Sequence, residues 1–390
     1  MHCGSISIRE TSMANTGPEN IANIPRLNAL MDRDGYAALV LRSGQNFTYL
    51  AGFAFPGTLG RHLDLPDSPR APLVVWPREG EPTLILNHQA APLAGRESWV
   101  ERIEIFRGYA ESPYQKAAEV LGEMGLRGSR IGFERATINA GQWALLTECF
   151  PDAEISDCTR MMDKVRWIKT PGEVERIRQA AAILDEAYLE VFAALREGDT
   201  EREIHARIVE GCIRRGAEWA HGMLNPIRNT VIYGGEGDLA FRKGDIIRND
   251  YVAFFRGYPG HQSRTVVLGE PTAGQERIYR TVLDIYRGTV ARCRPGARAG
   301  DIYDFAQGAF REAGYDATLN LVGHGVGPWW HQQAPFIVRD AEDTLEEGMV
   351  IALEPHADFW HLQDMVLIAG GGPQLLSDRM RTDEMFVIDR

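Results

Sequence analysis

Four of the ten histidines fall between residues 324 and 361, and they share that stretch with acids and an amide placed at the ends of apolar runs. Asp250 follows Ile246-Ile247-Arg248-Asn249, and His261 stands eleven residues further on. His324 lies inside the turn Gly323-His324-Gly325-Val326-Gly327, with His331 seven residues beyond it. Glu354 follows Val350-Ile351-Ala352-Leu353, while His361, Gln363 and Asp364 precede Met365-Val366-Leu367-Ile368. Carboxylates and imidazoles at the ends of buried strands are costly unless they pair, bind a metal or hydrogen-bond a substrate. Imidazole moves protons near neutral pH, and a carboxylate holds a cation or an ion. Singly, each residue has a plain structural reading: His324 as a satisfied turn histidine, Asp250 as a strand-end turn former, Glu354 before Pro355 as a solvated terminus. The set, with its shared flanks, is what points to a site.

The elements that must position this set belong to the second half of the chain. Glu173 to Arg196 carries apolar residues at helical spacing through Ile177, Ala180, Ala181, Leu184, Tyr188, Val191 and Leu195. Gly198-Asp199 breaks that helix, and Thr200 with Glu203 predicts a capping box opening the next. Strand patterns follow at Asn229 to Tyr233, Asp245 to Ala253 and Thr265 to Leu268, then helices at Ala273 to Arg292 and Asp301 to Ala313. Short strands return at Val350 to Leu353 and Met365 to Ile368. Helices grouped apart from hairpin-like strands indicate an α+β domain.

The first half alternates instead. Ala37 to Leu41, Ala71 to Trp76, Pro82 to Leu86 and Ile131 to Glu134 read as buried strands, and Tyr114 to Met124 and Gly141 to Cys149 as helices. That is an α/β domain. The expected organisation is a disordered tail at 1–20, an N-terminal domain at 21–160 and a catalytic domain at 161–390, with the boundary falling within 155–172.

Composition sets outer limits. Hydrophobic residues make up 44% and charged residues 25%, as in ordinary globular chains. The formal charge of −12 repels phosphate backbones, so nucleic acid is not an expected partner. Five scattered cysteines, none spaced C-x-x-C, fit reduced thiols in the cytoplasm. No run of 18 apolar residues predicts a membrane span, and residues 1–20 lack the apolar core of a signal peptide.

Specific segments carry a resemblance. Val165-Arg166-Trp167-Ile168-Lys169-Thr170-Pro171-Gly172-Glu173, Lys243 to Asp250, Gly257-Tyr258, Ser263-Arg264-Thr265, the Gly323 to Gly327 turn and Leu353-Glu354-Pro355 resemble the pita-bread family of methionine aminopeptidase, proline aminopeptidase, prolidase and creatinase. Asn46 to Phe53 resembles the amino-terminal domain of the two-domain creatinase–prolidase type, so that the likeness spans about residues 25–388. It implies a pita-bread catalytic domain preceded by a smaller, ribonuclease H-like α/β domain.

The resemblance also implies a site for two divalent metals held by Asp, Asp, His, Glu and Glu. Asp250 matches the first aspartate, His324 the histidine and Glu354 the first glutamate. The second aspartate and the last glutamate, which bridge the two ions in the family, are here His261 and Gln363. Neither an imidazole nor an amide bridges two cations readily, and four carboxylates have become two, so a dinuclear site is not expected. Two readings stay open. One divalent ion (zinc, manganese or iron) is held by His261, His324 and Glu354, with Gln363 or Asp250 as a weak further ligand. Alternatively no metal is bound and the same residues do acid–base work, for which creatinase is the family precedent.

Other family positions are altered as well. His331 is present, but Gln332 replaces the usual glutamate beside it. Tyr233 to Gly237 lacks the further catalytic histidine, His221 is too far back for a match, and the usual arginine two residues before the last ligand is His361. The expected function is therefore a hydrolase or lyase acting on a C–N bond in a small polar nitrogen compound, such as a guanidino, amidino, N-acyl or modified amino acid. His261, His324, Glu354 and His331 are the candidate catalytic groups; His361, Arg61, His62 and Tyr258 are the candidate substrate contacts. The connection Phe53 to Asp67 is expected to close over a site, supplied by the partner subunit in a homodimer. The rival readings are a metal-dependent Xaa-Pro aminopeptidase or dipeptidase, and a non-catalytic pita-bread binding protein.

Overall fold

The computed structural model describes residues 20–231, 236–315, 319–357 and 359–388, with the side chains of 57–59 and 61 outside the description. The expected tail at 1–20 lies, but for Asn20, outside the described residues.

The N-terminal strands are β1 (Ala38–Arg42), β2 (Leu73–Pro77), β3 (Thr83–Asn87), β4 (Arg102–Phe106), β5 (Arg130–Phe133) and β6 (Glu154–Asp157). They form one mixed sheet in the order β4-β3-β2-β1-β5-β6. Every residue of β1, β2 and β3 is buried, which explains why these strands read as unbroken apolar runs rather than alternating ones. The strands at both edges, β4 and β6, are partly exposed and more polar, so they do not stand out as unbroken apolar runs. The stretch 53–67 is not an irregular connection: Gly57–Asp64 is helical.

The second half opens with the helix Pro171–Ala194, whose start is fixed by Thr170 and Glu173 in a reciprocal capping box with Pro171 at the first helical position. Thr200 and Glu203 make the same box for the helix Glu201–Arg214. The remaining strands are β7 (Trp219–Pro226), β8 (Ile246–Phe255), β9 (Tyr258–Gln262), β10 (Val266–Leu268), β11 (Gly323–Gly325), β12 (Gln333–Ile337), β13 (Val350–Leu353), β14 (His356–Ala357), β15 (Trp360–His361), β16 (Asp364–Leu367), β17 (Gln374–Leu375) and β18 (Phe386–Ile388). One sheet runs β18-β10-β8-β7 with β9 on β8, and a second runs β12-β11-β13-β16-β17. The strand expected at Asn229 to Tyr233 is displaced. Its described part is turn and coil, and the polypeptide pairs earlier, through β7. Bonds from Asn229 Nδ2 to Glu201 and from Arg228 to Asp245 draw those polar side chains away from a ladder.

The two sheets meet where Ser263 bridges Gln363, one residue beyond β9 and one before β16. Beneath that joint, Val326, Val350, Ala352 and Met365 pack on Ile177 and Tyr258. The helix Pro171–Ala194 presses so closely on β9 that a Cβ on Gly260 would lie 2.4 Å from its backbone. The joint is secured by Arg264, which is fully enclosed. Its guanidinium donates to Asp364 Oδ1 at 2.7 Å, Asp185 Oδ1 at 3.3 Å, and the carbonyls of Gln363 and Met380 at 2.7 and 2.6 Å. Removing one partner of such a buried network strands the other charges, at a cost of about 3–5 kcal/mol. Arg264→Leu should therefore lower the urea midpoint of the catalytic half by an amount equivalent to about 3–5 kcal/mol, with Arg264→Lys recovering only part of it. An unchanged midpoint in Arg264→Leu would show that the joint does not depend on this side chain.

Candidate active site

Strand geometry explains how residues far apart in sequence converge. In an antiparallel ladder, directly opposed residues share a face, and so do residues two apart. His221 and His261 both oppose Val252, while Met223 opposes Asp250, so these five side chains lie on one face of the first sheet. On the second sheet His324 opposes Ala352, which shares its face with Glu354 two residues on. The hairpin of β14 and β15 sets His356 opposite His361. Together they line a cavity of about 800 Å³ that also includes Arg248, Asn320, His331, Gln332 and Phe359.

His261 is held at both ring nitrogens. Nε2 lies 2.8 Å from Asp250 Oδ1, and Nδ1 lies 3.0 Å from the Gln363 amide nitrogen. The Gln363 carbonyl oxygen is otherwise buried without a partner, and turning the amide over lets it accept from a protonated Nδ1. In either orientation both nitrogens are engaged. Burial disfavours a charged His261, but the adjacent Asp250 outweighs it and raises the imidazole pKa. Burial likewise works against the Asp250 anion, yet His261 holds that carboxyl well below the usual range.

His324 is arranged differently. Its Nδ1 is 2.9 Å from the Gly325 carbonyl, which can only accept, so the proton sits on Nδ1 and Nε2 carries the lone pair. Nε2 is buried, has no hydrogen-bond partner among the described residues and lies 3.6 Å from Glu354 Oε1. Burial lowers the pKa of this ring, with partial compensation from Glu354. The strand β11 that holds it, expected from the sequence as a turn, leaves no space beside the backbone: a Cβ on Gly325 would meet the Ala334 carbonyl at 2.4 Å.

Glu354 is placed between two rings, with Oε2 at 3.4 Å from His361 Nε2. Burial alone would raise its pKa, but the contact with His361 outweighs it and holds the carboxyl below its usual value, so the carboxylate is ionised. His331 packs 4.6 Å from His261 and 5.9 Å from His324, centroid to centroid, and burial with these neighbours drives its pKa down.

The structure thus gathers Asp250, His261, His324, His331, Glu354 and His361 around one cavity, with Gln363 bonded to its floor. Tyr258 is not brought there. Its ring lies in the core beneath, and its hydroxyl reaches Glu173 and the Ile21 carbonyl, both at 3.2 Å. His62 is also elsewhere, exposed and 2.9 Å from Arg70, and the Arg61 side chain is outside the described residues. Sequence reading passes over Arg248 and His356 and sets His221 aside, although all three line the cavity. Arg248 stands two residues before Asp250 and so shares its face, which is a usable signal; the other two depend on pairings no local pattern shows.

A family model described as metallopeptidase family M24 matches residues 175–388, more than half of the chain. The chain belongs to metallopeptidase family M24. The Creatinase/Prolidase N-terminal domain model matches residues 24–168, so this M24 hydrolase has the two-domain, pita-bread architecture that the motifs implied. An Xaa-Pro dipeptidase of Pyrococcus horikoshii is 26% identical over 92% of this chain and 97% of its own length. One from Pyrococcus furiosus is 32% identical over 56% of this chain and 65% of its own. Among solved structures, a recombinant prolidase of Thermococcus sibiricus superposes with a TM-score of 0.80 at 22% identity, covering 96% of this chain and 100% of that one. The fold also accommodates the N-terminal domain of the FACT complex subunit SPT16 of Cicer arietinum, with a TM-score of 0.67 at 13% identity over 94% of this chain and 98% of that one. The fold by itself therefore does not select a reaction.

Members of this family typically use divalent metal ions, and the M24 chain described here has a donor set that does not fit a pair of them. The two positions implied to bridge are an imidazole with no free nitrogen and the amide bonded to it. Among the described residues no group of three or more His, Cys, Asp or Glu is arranged to hold a metal ion. Restoring both carboxylates should reverse this. The double substitution His261→Asp, Gln363→Glu is expected to gain tight binding of manganese or zinc in calorimetric titration, with His261→Asp alone gaining much less. Equal binding by the parent protein and the double variant would show that these two residues do not govern metal uptake.

Proposed function

We propose that this M24 hydrolase cleaves a C–N bond in a small, N–H-rich nitrogen compound, of the guanidino, amidino, N-acyl or modified amino acid kind, through acid–base chemistry of its own side chains. The observation that carries the reading is the free lone pair of His324 Nε2 beside an ionised Glu354. A neutral imidazole with its proton fixed on Nδ1 takes a proton from water at Nε2. The hydroxide equivalent adds to the substrate carbon, the C–N bond breaks, and the departing nitrogen receives the proton held by His324. Glu354 offers two acceptor oxygens on the same wall, and Asp250 adds a second anion, so the complementary ligand presents N–H donors and positive charge. His261, clamped at both nitrogens, serves in this reading as a fixed group rather than the base, and His331 and His361 orient the substrate. The working form is a cytoplasmic homodimer, and the net charge of −12 argues against a polyanionic partner.

A second reading, hydrolysis of Xaa-Pro dipeptides, draws on the names of the relatives and on His331. His261 and Gln363 oppose it.

A panel of guanidino, amidino and N-acyl amino acids, assayed beside Xaa-Pro dipeptides with and without chelator, separates the two. The expected result is turnover of at least one small nitrogen compound that survives chelation. His324→Ala and Glu354→Gln should each reduce that turnover by roughly 10²–10⁴-fold, the span typical of losing a positioned acid–base group. Cleavage confined to Xaa-Pro dipeptides and abolished by chelator would contradict the proposal.

A further inference from the structure

The turn Pro328–Gln332, between β11 and β12, carries His331 into the wall of the active-site cavity and sets Trp329 and Trp330 just behind it, where they line a second cavity. Its backbone is not in a relaxed form. Trp329 has φ +74°, a left-handed conformation that bulky side chains rarely adopt and that persists only where surrounding contacts fix it. Those contacts come largely from the N-terminal domain.

Trp329 Nε1 donates to Asp64 Oδ2 at 2.9 Å, and its ring occupies the space over Gly60, where a Cβ would lie 2.2 Å away. Both residues belong to the helix Gly57–Asp64, whose end is fastened to β1 by Arg42, donating to the carbonyls of Asp64 and Leu65 at 3.0 and 2.8 Å. A second tether starts at Glu134, just past β5. It accepts from Asn46 Nδ2 at 2.6 Å, and Asn46 Oδ1 accepts from Arg166. Arg166 Nε donates to Gln333 Oε1 at 3.1 Å, and the Gln333 amide donates to the carbonyls of Pro328 and Trp330 at 2.9 and 2.7 Å. Both tethers border this second cavity of about 440 Å³, so beside the ring packed over Gly60 the domains are held together here by directed polar bonds. At the far end, the Trp330 ring lies 4.6 Å from His331 and nearly parallel to His221, at 8° and 6.2 Å.

We infer that Asp64, Trp329, Arg166 and Gln333 are positioning residues through which the N-terminal domain sets the placement of Trp330 and, through the Trp330 ring packed on it, of His331 in the active-site wall. This goes beyond the proposed reaction and does not depend on it. It also gives Asn46 and Arg166, which stand in two widely separated sequence motifs, a shared purpose: they meet at the hinge of one tether.

The test needs no substrate. Trp330 imposes a ring-current shift on the Cε1–H resonances of His331 and His221, which a ¹³C-histidine spectrum of the full chain resolves once each histidine is assigned by substitution. Gln333→Leu and the milder Trp329→Phe, which keeps a ring but loses the bond to Asp64, should both move the His331 and His221 resonances. Those of His88 and His205 should stay in place. Unmoved His331 and His221 resonances in variants that retain the parent circular dichroism would overturn the inference. Hydrogen exchange on the unsubstituted protein is a second test, one that requires no variant to fold. The Trp329 amide, which donates to the Gly257 carbonyl at 2.8 Å, should exchange as slowly as those of β11. Exchange at the rate of an unstructured peptide would overturn it equally.

Discussion

Arg264 lies where the two sheets of the catalytic half meet, and its five donors are spent on groups that would otherwise be left buried and unsatisfied. Asp185 arrives from the long helix, Asp364 from β16, and the carbonyls of Ser263, Gln363 and Met380 from three further points of the chain. A planar guanidinium satisfies such a set because its hydrogen-bond directions are fixed, and a lysine in its place would leave several unmet. Asp364 is locked again by the hydroxyls of Tyr286 and Ser377. Gln363 is therefore delivered to its place by the residues on either side of it. His261, two residues before the bridge formed by Ser263, is delivered in the same way.

The chemistry follows from that joint. The two residues it brings together are an imidazole and an amide, and they satisfy each other instead of reaching for a shared cation. With Asp250 closing the other side of the ring, His261 becomes a fixed part of the cavity floor. The free lone pair is left to His324, whose tautomer is set by a backbone carbonyl, and the adjacent carboxylate is kept ionised by the neighbouring His361. In the proposed reaction these are the parts that activate water with imidazole.

Much of this is legible in the sequence because the relevant signals are local. Capping boxes at Thr170 and Thr200 and the unbroken apolar runs of β1 to β3 each state their structure within a few residues, whereas Gly323-His324-Gly325, expected as a turn, is the strand β11 because it pairs with β12 and β13. Asp250, His261, His324, Glu354 and Gln363 stand out because their spacing matches a family pattern. What stays hidden depends on register and on packing between distant segments. His221 is opposite Val252 only once β7 pairs with β8, and His356 faces the cavity only through a two-residue hairpin. Tyr258 is adjacent to a motif glycine and so resembles a site residue, yet alternation along β9 turns its ring into the core. Edge strands β4 and β6 are partly exposed and alternate in polarity over only a few residues, so neither presents the unbroken apolar run by which β1 to β3 are recognised.

The central claim is that the pairing of His261 with Asp250 and Gln363 has replaced paired-metal chemistry at this site. Metal content measured by mass spectrometry on protein purified without added metal and dialysed gently tests it most directly. The account predicts one firmly held divalent ion per chain or none. Two tightly held ions per chain, bound in proportion to hydrolytic activity, would contradict it.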